Sequence, residues 1–413
     1  MRQARAIPVR RGCRRSQPRS RPRALFAAIA LSLLALLAPD LTFAPLLAGE
    51  PGARDLRPID HVALPAVPHR PLSADLARPA TPSTLAGATA DEDAAYRAAL
   101  EAARAYASAW GITFAAVRDG EILWTGSSGR DRDGTTALSP DSPLVIGSVT
   151  KTYVAATVLE LAEEGRIGLD DSVRGYLPDV TSVSREITVR ELLNHTSGLA
   201  DVFNDTTKKG LEDHPEHAWT SDEVLGSLHA PWYKPGEGWA YANTNYYLLG
   251  MIVERATGNP LADELARRLF GPLGLHATRM LSANDPSSPL APAWATIFWG
   301  SGAMSASAAD LARWGDALYE GRVLDRSMGA TMLKFNKDDY GLGVQKLEMA
   351  GTTGYGHTGL LNTYTTLLYH LPRQHVTLAL LVNRSHVDLS GMLDAHPPGG
   401  GPSLMELAAG TAE

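Results

Sequence analysis

Cysteine is almost missing from this chain: among 413 residues only Cys13 carries a thiol. One thiol can close no disulfide within the molecule and cannot build a thiolate metal site. No glycine-rich phosphate loop, internal repeat or coiled-coil heptad is present, which removes the nucleotide-binding and solenoid classes that those patterns announce. A Gly-x-Ser-x-Gly elbow is also lacking, which argues against an α/β-hydrolase. Basic residues are scarce and unevenly placed. Lys and Arg total 38 against 45 Asp and Glu, and nine of the arginines lie before residue 24. Without residues 1–48 the count becomes 29 bases against 44 acids, or −15, a balance that speaks against nucleic acid as a partner.

Long apolar runs are missing too. The longest, Ala24 to Ala38, follows the arginine-rich start and is interrupted only by Ser32. A basic segment and then an apolar one of this length describe an export signal, whereas a membrane span needs about 20 residues. Leu41 to Ala48 is largely apolar as well, so an uncleaved anchor through residues 24–47 stays open beside the cleaved signal. Either reading places the protein outside the cytoplasm, periplasmic or extracellular. Cys13 falls inside the segment that a cleaved signal would remove.

What is present reads as a globular protein, with 44% hydrophobic and 20% charged residues. Residues 49–90, rich in Pro and Ala, read as a linker. A catalytic domain is expected over residues 91–395, followed by a tail (396–413) that holds a closing helix from Ser403 to Ala409. Asp91 is expected to cap a helix reaching Ser108. Ile112–Val117, Asp119-Gly120 and Ile122–Trp124 spell a β-hairpin. Thr188-Val189-Arg190-Glu191 is a capping box, and Ser221 is expected to cap a further helix. Helical patterns follow over Tyr246–Ala256, Leu261–Phe270 and from Ser307 to Leu318. Strand patterns return at Tyr340–Lys346, Tyr364–His370 and Val376–Val382. Strands at both ends with helices between predict one α/β (α+β) domain: an antiparallel sheet assembled from distant segments, flanked by helices, with a helical subdomain inserted.

Three short motifs carry chemistry. In Gly147-Ser148-Val149-Thr150-Lys151, Ser148 is expected to open a helix with Lys151 one turn on, so that hydroxyl and amine share a face. A desolvated lysine can take the serine proton, and the helix start supplies backbone N–H groups for an oxyanion. In Tyr241-Ala242-Asn243, before a helix, Tyr241 can act as a phenolate-like base if an ammonium lowers its pKa, and Asn243 can hold Lys151 and substrate. In His357-Thr358-Gly359, expected to open a strand, His357 can supply a proton or positive charge near a substrate carboxylate, Gly359 lets substrate approach, and Leu360 N–H offers a second oxyanion donor. Plainer readings exist for each taken alone: a capping serine with a surface lysine, a buried tyrosine with a capping asparagine, a loop histidine.

Together the three motifs resemble the serine β-lactamase and penicillin-binding-protein group, in its branch of class C-type β-lactamases, D-alanyl-D-alanine carboxypeptidases and esterases. Leu192-Leu193-Asn194-His195-Thr196-Ser197-Gly198-Leu199, Tyr241 to Gly250 and Ser301-Gly302-Ala303-Met304-Ser305 add to the likeness, which covers about residues 91–385. The resemblance implies a β-lactamase/transpeptidase-like fold with Ser148 as acylated nucleophile, Lys151 and Tyr241 sharing the base role, and Asn243, His357, Thr358, Gly359 and Leu360 on substrate. The His195 stretch is structural in this group. His357 stands where many relatives, class C β-lactamases among them, carry Lys, while the carboxypeptidase and esterase branches often have His. That lowers the case for an efficient β-lactamase. Leu360-Leu361-Asn362 replaces small or hydroxyl residues. Both changes weaken carboxylate recognition and suit uncharged esters or amides.

The resulting expectation is an exported serine hydrolase acting through an acyl-enzyme on D-alanyl peptides, possible fragments of peptidoglycan among them, or on esters. A class C-type β-lactamase or a non-catalytic penicillin-binding or sensing protein of the same fold is the alternative. No cofactor is implied. His214 and His217, three apart, lack a third ligand at standard spacing, so no metal is expected.

Overall fold

A computed structural model describes residues 89–411. The signal-or-anchor segment 1–48 and the linker up to residue 88 lie outside the described residues. Helix α1 (Ala90–Tyr106) starts two residues before the expected point. Thr89 and Glu92 form its capping box, which satisfies two backbone donors reciprocally, and Asp91 sits inside the first turn instead of capping it.

Strands β1 (Gly111–Arg118) and β2 (Glu121–Gly129) form the hairpin that Asp119-Gly120 announces. Both turn residues have left-handed backbone (φ 53° and 81°), as a two-residue hairpin of this hand requires. A second group of strands comes from the far end of the chain: β6 (Gln345–Met349), β7 (Thr352–Leu361), β8 (Tyr364–Leu371) and β9 (Val376–Val382). They complete an antiparallel sheet in the order β2-β1-β9-β8-β7-β6. A small sheet joins β3 (Leu144–Val145), β5 (Met304–Ala306) and β4 (Arg279–Met280), with β5 in the middle.

Helices cover both faces of the large sheet, so its inner strands are buried throughout and read as near-continuous apolar runs. On one face, Phe114, Trp124, Leu378 and Leu380 pack with Tyr96, Ala99 and Leu100 of α1. The closing helix Leu404–Ala409 joins this layer with Leu404, Met405 and Ala408. Tyr96 stacks on Trp124 at 4.8 Å, and the Trp124 indole N–H donates to Asp93 at 2.9 Å. On the other face, Ala115, Leu368, Ala379 and Leu381 meet the helical subdomain.

The centre of that subdomain is α2 (Thr150–Glu163). Every residue from Thr150 to Leu159 is buried, the signature of a helix enclosed on all sides. Around it lie α3 (Val189–Leu193), α4 (Asn243–Thr257), α5 (Pro292–Gly302) and α6 (Ala308–Tyr319). Thr188 and Glu191 form the expected capping box of α3, and left-handed Gly258 ends α4. Thr220, not Ser221, caps the helix Ser221–Gly226, through a capping box with Glu223.

Two expected strand boundaries move. Tyr340–Val344 is not strand but a turn-rich approach in which Asp339 and Gly343 take positive φ, and β6 begins only at Gln345. Residues His357–Gly359 sit in the middle of ten-residue β7 rather than at its start. Among the described residues no helix is long and apolar enough to cross a membrane.

Candidate active site

Ser148 lies in a 3₁₀ turn, Gly147–Val149, at the entry to α2, which itself begins at Thr150. The turn needs glycine at 147, where φ is +51° and an added Cβ would stand 2.8 Å from the Leu360 nitrogen. Strand β7 presses against the same segment. A Cβ at Gly359 would come within 2.0 Å of the Ile146 carbonyl oxygen. These two glycines bring the Leu360 amide beside Ser148, joining residues more than two hundred positions apart.

Lys151 is fully buried one turn beyond Ser148. Its Nζ lies 3.0 Å from Ser148 Oγ, 2.9 Å from Asn243 Oδ1 and 2.6 Å from the Ser301 carbonyl. Burial pulls its pKa down to about 7, against the pull of the Asp201 carboxylate, which raises it. A neutral amine has two N–H donors and one lone pair. Asn243 Oδ1 and the Ser301 carbonyl can only accept, so they take the two donors. The lone pair is left for the Ser148 hydroxyl proton. The Ser301 carbonyl comes from the end of α5, two residues past a break at Trp299 (φ 20°, ψ −112°).

Asn243 is the first residue of α4, but the position before it, Ala242, is the N-cap, and its side chain makes no capping bond. The Asn243 amide is therefore free of capping duty. Its Nδ2 donates to Asp201 Oδ2 at 3.1 Å, and its backbone N–H donates to Asp201 Oδ1 at 3.0 Å. Asp201 was not singled out in the sequence; it is half-buried, and desolvation lifts its carboxyl to about 6.

Tyr241 lies with its ring centroid 4.9 Å from Lys151 Nζ. The expected phenolate is not what the structure holds. Burial dominates and raises the phenol pKa above its usual value, although Ser148 pulls the other way. Its buried hydroxyl makes no completed hydrogen bond. Tyr241 is thus a neutral phenol beside the serine, able to give a proton to a group that enters the site.

The segment from His195 to Val202 braces the Tyr241-Ala242-Asn243 strap. His195 Nδ1 accepts from Asn245 Nδ2 (2.8 Å) and Ala242 N–H (3.3 Å), and its ring packs 4.3 Å from that of Tyr241. Ser197 donates to Asn245 Oδ1, Thr244 donates to the Ala200 carbonyl, and Val202 N–H donates to the Thr244 hydroxyl. His195 itself adopts φ +63°, uncommon for a residue with a side chain. Its role is bracing, as the resemblance implies.

His357 is buried, and both its ring nitrogens are engaged. Nδ1 faces the Thr358 carbonyl at 2.6 Å and must donate, so Nε2 accepts from the Tyr340 hydroxyl at 3.0 Å. Burial, helped by Lys151, lowers its pKa to about 3. The expected proton or positive charge is therefore absent from this side of the site near neutral pH. Thr358 is held through its N–H and hydroxyl by Gln345 Oε1 (2.9 and 3.1 Å). Tyr340 and Gln345 carried no motif in the sequence, whereas Asp201 and Ser301 adjoin or lie within stretches that the resemblance quoted.

His214 and His217 stay at the surface, where His217 meets Glu223 at 3.1 Å. Among the described residues no three His, Cys, Asp or Glu side chains gather as a metal site would need.

The Beta-lactamase family model matches residues 97–396. Penicillin-binding protein 4 of Amycolatopsis lactamdurans is 30% identical over 313 residues, 66% of this chain and 80% of that protein. A D-aminopeptidase of Brucella ovis is 27% identical over 295 residues, and the match spans 56% of its length. Among solved structures, a D-stereospecific amidohydrolase from Streptomyces sp. superposes with a TM-score of 0.63 at 31% identity, covering 73% of this chain and 98% of that one.

Proposed function

This chain belongs to the β-lactamase family, and from that premise we propose how it works and on what. It is a serine hydrolase of the β-lactamase fold, related to penicillin-binding proteins, D-aminopeptidases and D-amino acid amidases. In our reading neutral Lys151 takes the Ser148 proton as Oγ attacks the substrate carbonyl. The Ser148 and Leu360 amides receive the oxyanion. The Tyr241 phenol protonates the departing group and is reprotonated from Lys151. Water then attacks the acyl-enzyme, passing its proton back through the same groups, and the acid leaves with Ser148 restored.

The substrate we propose is a D-amino-acid amide or ester, or a short peptide, whose departing part has no carboxylate near His357. One observation carries this choice. The His357 side chain, which stands where a fixed cation would hold a substrate carboxylate, is neutral and bonded at both nitrogens. The likeness to a D-stereospecific amidohydrolase supports the D configuration. A D-alanyl-D-alanine carboxypeptidase and a β-lactamase must both bind a carboxylate, so they rank below the amidase and esterase readings. Arginine-rich residues 1–23 followed by an apolar run support export as part of this reading, with a cleaved signal or an anchor equally served.

The test is turnover by the full chain of D-phenylalanine amide, p-nitrophenyl butyrate and a peptide ending in D-Ala-D-Ala, with Ser148→Ala as control. We expect kcat/KM for the amide or ester to exceed that for the carboxylate-ended peptide by roughly tenfold or more. Preference for the D-Ala-D-Ala peptide would overturn the substrate reading. Turnover that survives in Ser148→Ala would remove the nucleophile.

A further inference from the structure

We propose that Asp201 is a positioning residue of the reaction: it locks the Asn243 amide with its oxygen toward Lys151, and so reserves the lysine lone pair for Ser148. This rests on the acyl-enzyme reading above and assigns a role to a side chain that touches neither substrate nor nucleophile.

The argument begins with a symmetry of shape. An asparagine amide fits its space almost equally well in two orientations, since O and NH₂ are alike in size. Only neighbours decide between them. Around Asn243 there are two: Lys151 Nζ on one side at 2.9 Å and the Asp201 carboxylate on the other at 3.1 Å. An ionised carboxylate is purely an acceptor. It therefore demands the NH₂ end and leaves the oxygen for Lys151.

The opposite orientation would stop the chemistry. Nδ2 would then face Lys151, and its N–H would find the lysine lone pair as the only acceptor there. The Ser301 carbonyl would keep one lysine N–H. The other would turn toward Ser148 Oγ, making lysine a donor to the nucleophile rather than its base.

Asp201 is built for holding, not for reaching out. Oδ1 accepts from the Asn243 backbone N–H (3.0 Å) and from Phe203 N–H (3.1 Å), while Oδ2 takes the Asn243 amide. Backbone and side chain of one residue are thus clasped by a single carboxylate. The charged group that acts on it is Lys151 itself. The neighbouring bonds, Thr244 hydroxyl to Ala200 carbonyl and Val202 N–H to Thr244 hydroxyl, fix the two segments on either side. The clasp cannot drift from Asn243 without breaking them.

The experiment is a swap of acid and amide in the full chain: Asp201→Asn, Asn243→Asp, and both together. In Asp201→Asn, the new amide keeps its oxygen on the two backbone N–H groups and turns its NH₂ toward Asn243. Asn243 must then offer its oxygen to position 201 and its NH₂ to Lys151. We expect kcat to fall by roughly a hundredfold with KM within about threefold. Asn243→Asp alone sets two carboxylates face to face and also loses activity. The double variant restores donor to acceptor at every contact, with an acceptor toward Lys151, and is expected to regain roughly tenfold over either single variant. Single variants that both match the wild type within about threefold would overturn the proposal, as would a double variant no better than both singles. If Asp201→Asn does not fold, the double variant against Asn243→Asp still decides.

A second readout needs no turnover. The ¹³Cε resonance of Lys151 reports its titration, identified by its loss in Lys151→Arg. It should move to lower pH in Asp201→Asn and to higher pH in the double variant. Unmoved titration overturns the positioning role. Absent Ser148-dependent turnover in the wild type, with Lys151 titration responding as stated, would sink the hydrolase reading while leaving the clasp intact.

Discussion

Lys151 decides the chemistry of the site because it is both buried and fully bonded. Burial holds its pKa near 7, where the charged and neutral forms are balanced. Activity needs the neutral form, so kcat/KM for a neutral substrate is expected to climb as pH rises through about 7 and then level off. Below that point it should drop about tenfold per pH unit, since each unit removes that share of the lone pairs. A pH–rate profile checks this, and a flat profile from about pH 5 to 8 would contradict it. Asp201 reinforces the sign, because its protonation near 6 also falls on the acidic side. His357 offers a second test. Tyr340→Phe removes the hydroxyl that donates to its Nε2 and, among the described residues, leaves a buried acceptor unpaired. A loss of about 1–3 kcal/mol in denaturant unfolding is expected, with Ser148 still acylated. Most of the reacting side chains were legible in the sequence, since Ser148, Lys151, Tyr241 and Asn243 fall in short motifs whose spacing survives in any fold of this kind. Protonation states were not. Whether Tyr241 is a phenolate and whether His357 is charged depend on burial contributed by distant segments, and both came out neutral.

At the scale of elements, the site is made by one close approach. Strand β7 lies so near the Ile146–Val149 segment that only glycine fits at 359. Gly359→Ala would drive a methyl into the Ile146 carbonyl and push the Leu360 amide away from Ser148. We expect about 1–3 kcal/mol of destabilisation from the overpacking. We also expect acylation to slow by roughly a hundredfold, as loss of an oxyanion donor does. Stopped-flow acylation beside thermal melting separates the two effects; normal acylation in a destabilised variant would contradict the oxyanion role. The elements themselves were unequally legible. Val376–Val382 and the helix after Ser307 announced themselves by composition and cap, and both form where expected. Helix α5 gave no signal, because every residue from Pro292 to Trp299 except Thr296 is apolar, so no polar face sets off an apolar stripe. The Tyr340–Lys346 stretch carries strand-forming residues, yet Gly343, at positive φ, turns it. There the demand that Tyr340 reach His357 prevails over local propensity.

For the molecule as a whole, the sheet carries a packed core on each face, closed by residues from both ends of the described chain, and is expected to unfold with them as one unit. The helix Leu404–Ala409 buries Leu404 and Met405 on the layer that contains α1. Truncation after Gly401 uncovers both and should cost about 3–5 kcal/mol in chemical denaturation, with Ser148-dependent turnover retained at low temperature. No loss of stability would show that this helix is not part of the unit. The sequence by itself determined which residues could react and which broad architecture could carry them. Spacing along a helix places Lys151 one turn from Ser148, and apolar periodicity separates strands from helices, both being local properties of the chain. Only the tertiary structure decided the electrostatics. The desolvation that pulls Lys151 down to about 7, the Tyr340 hydroxyl that occupies His357 and the carboxylate that orients Asn243 all join separate segments of the chain. Their energies depend on distance and burial, which no local pattern encodes.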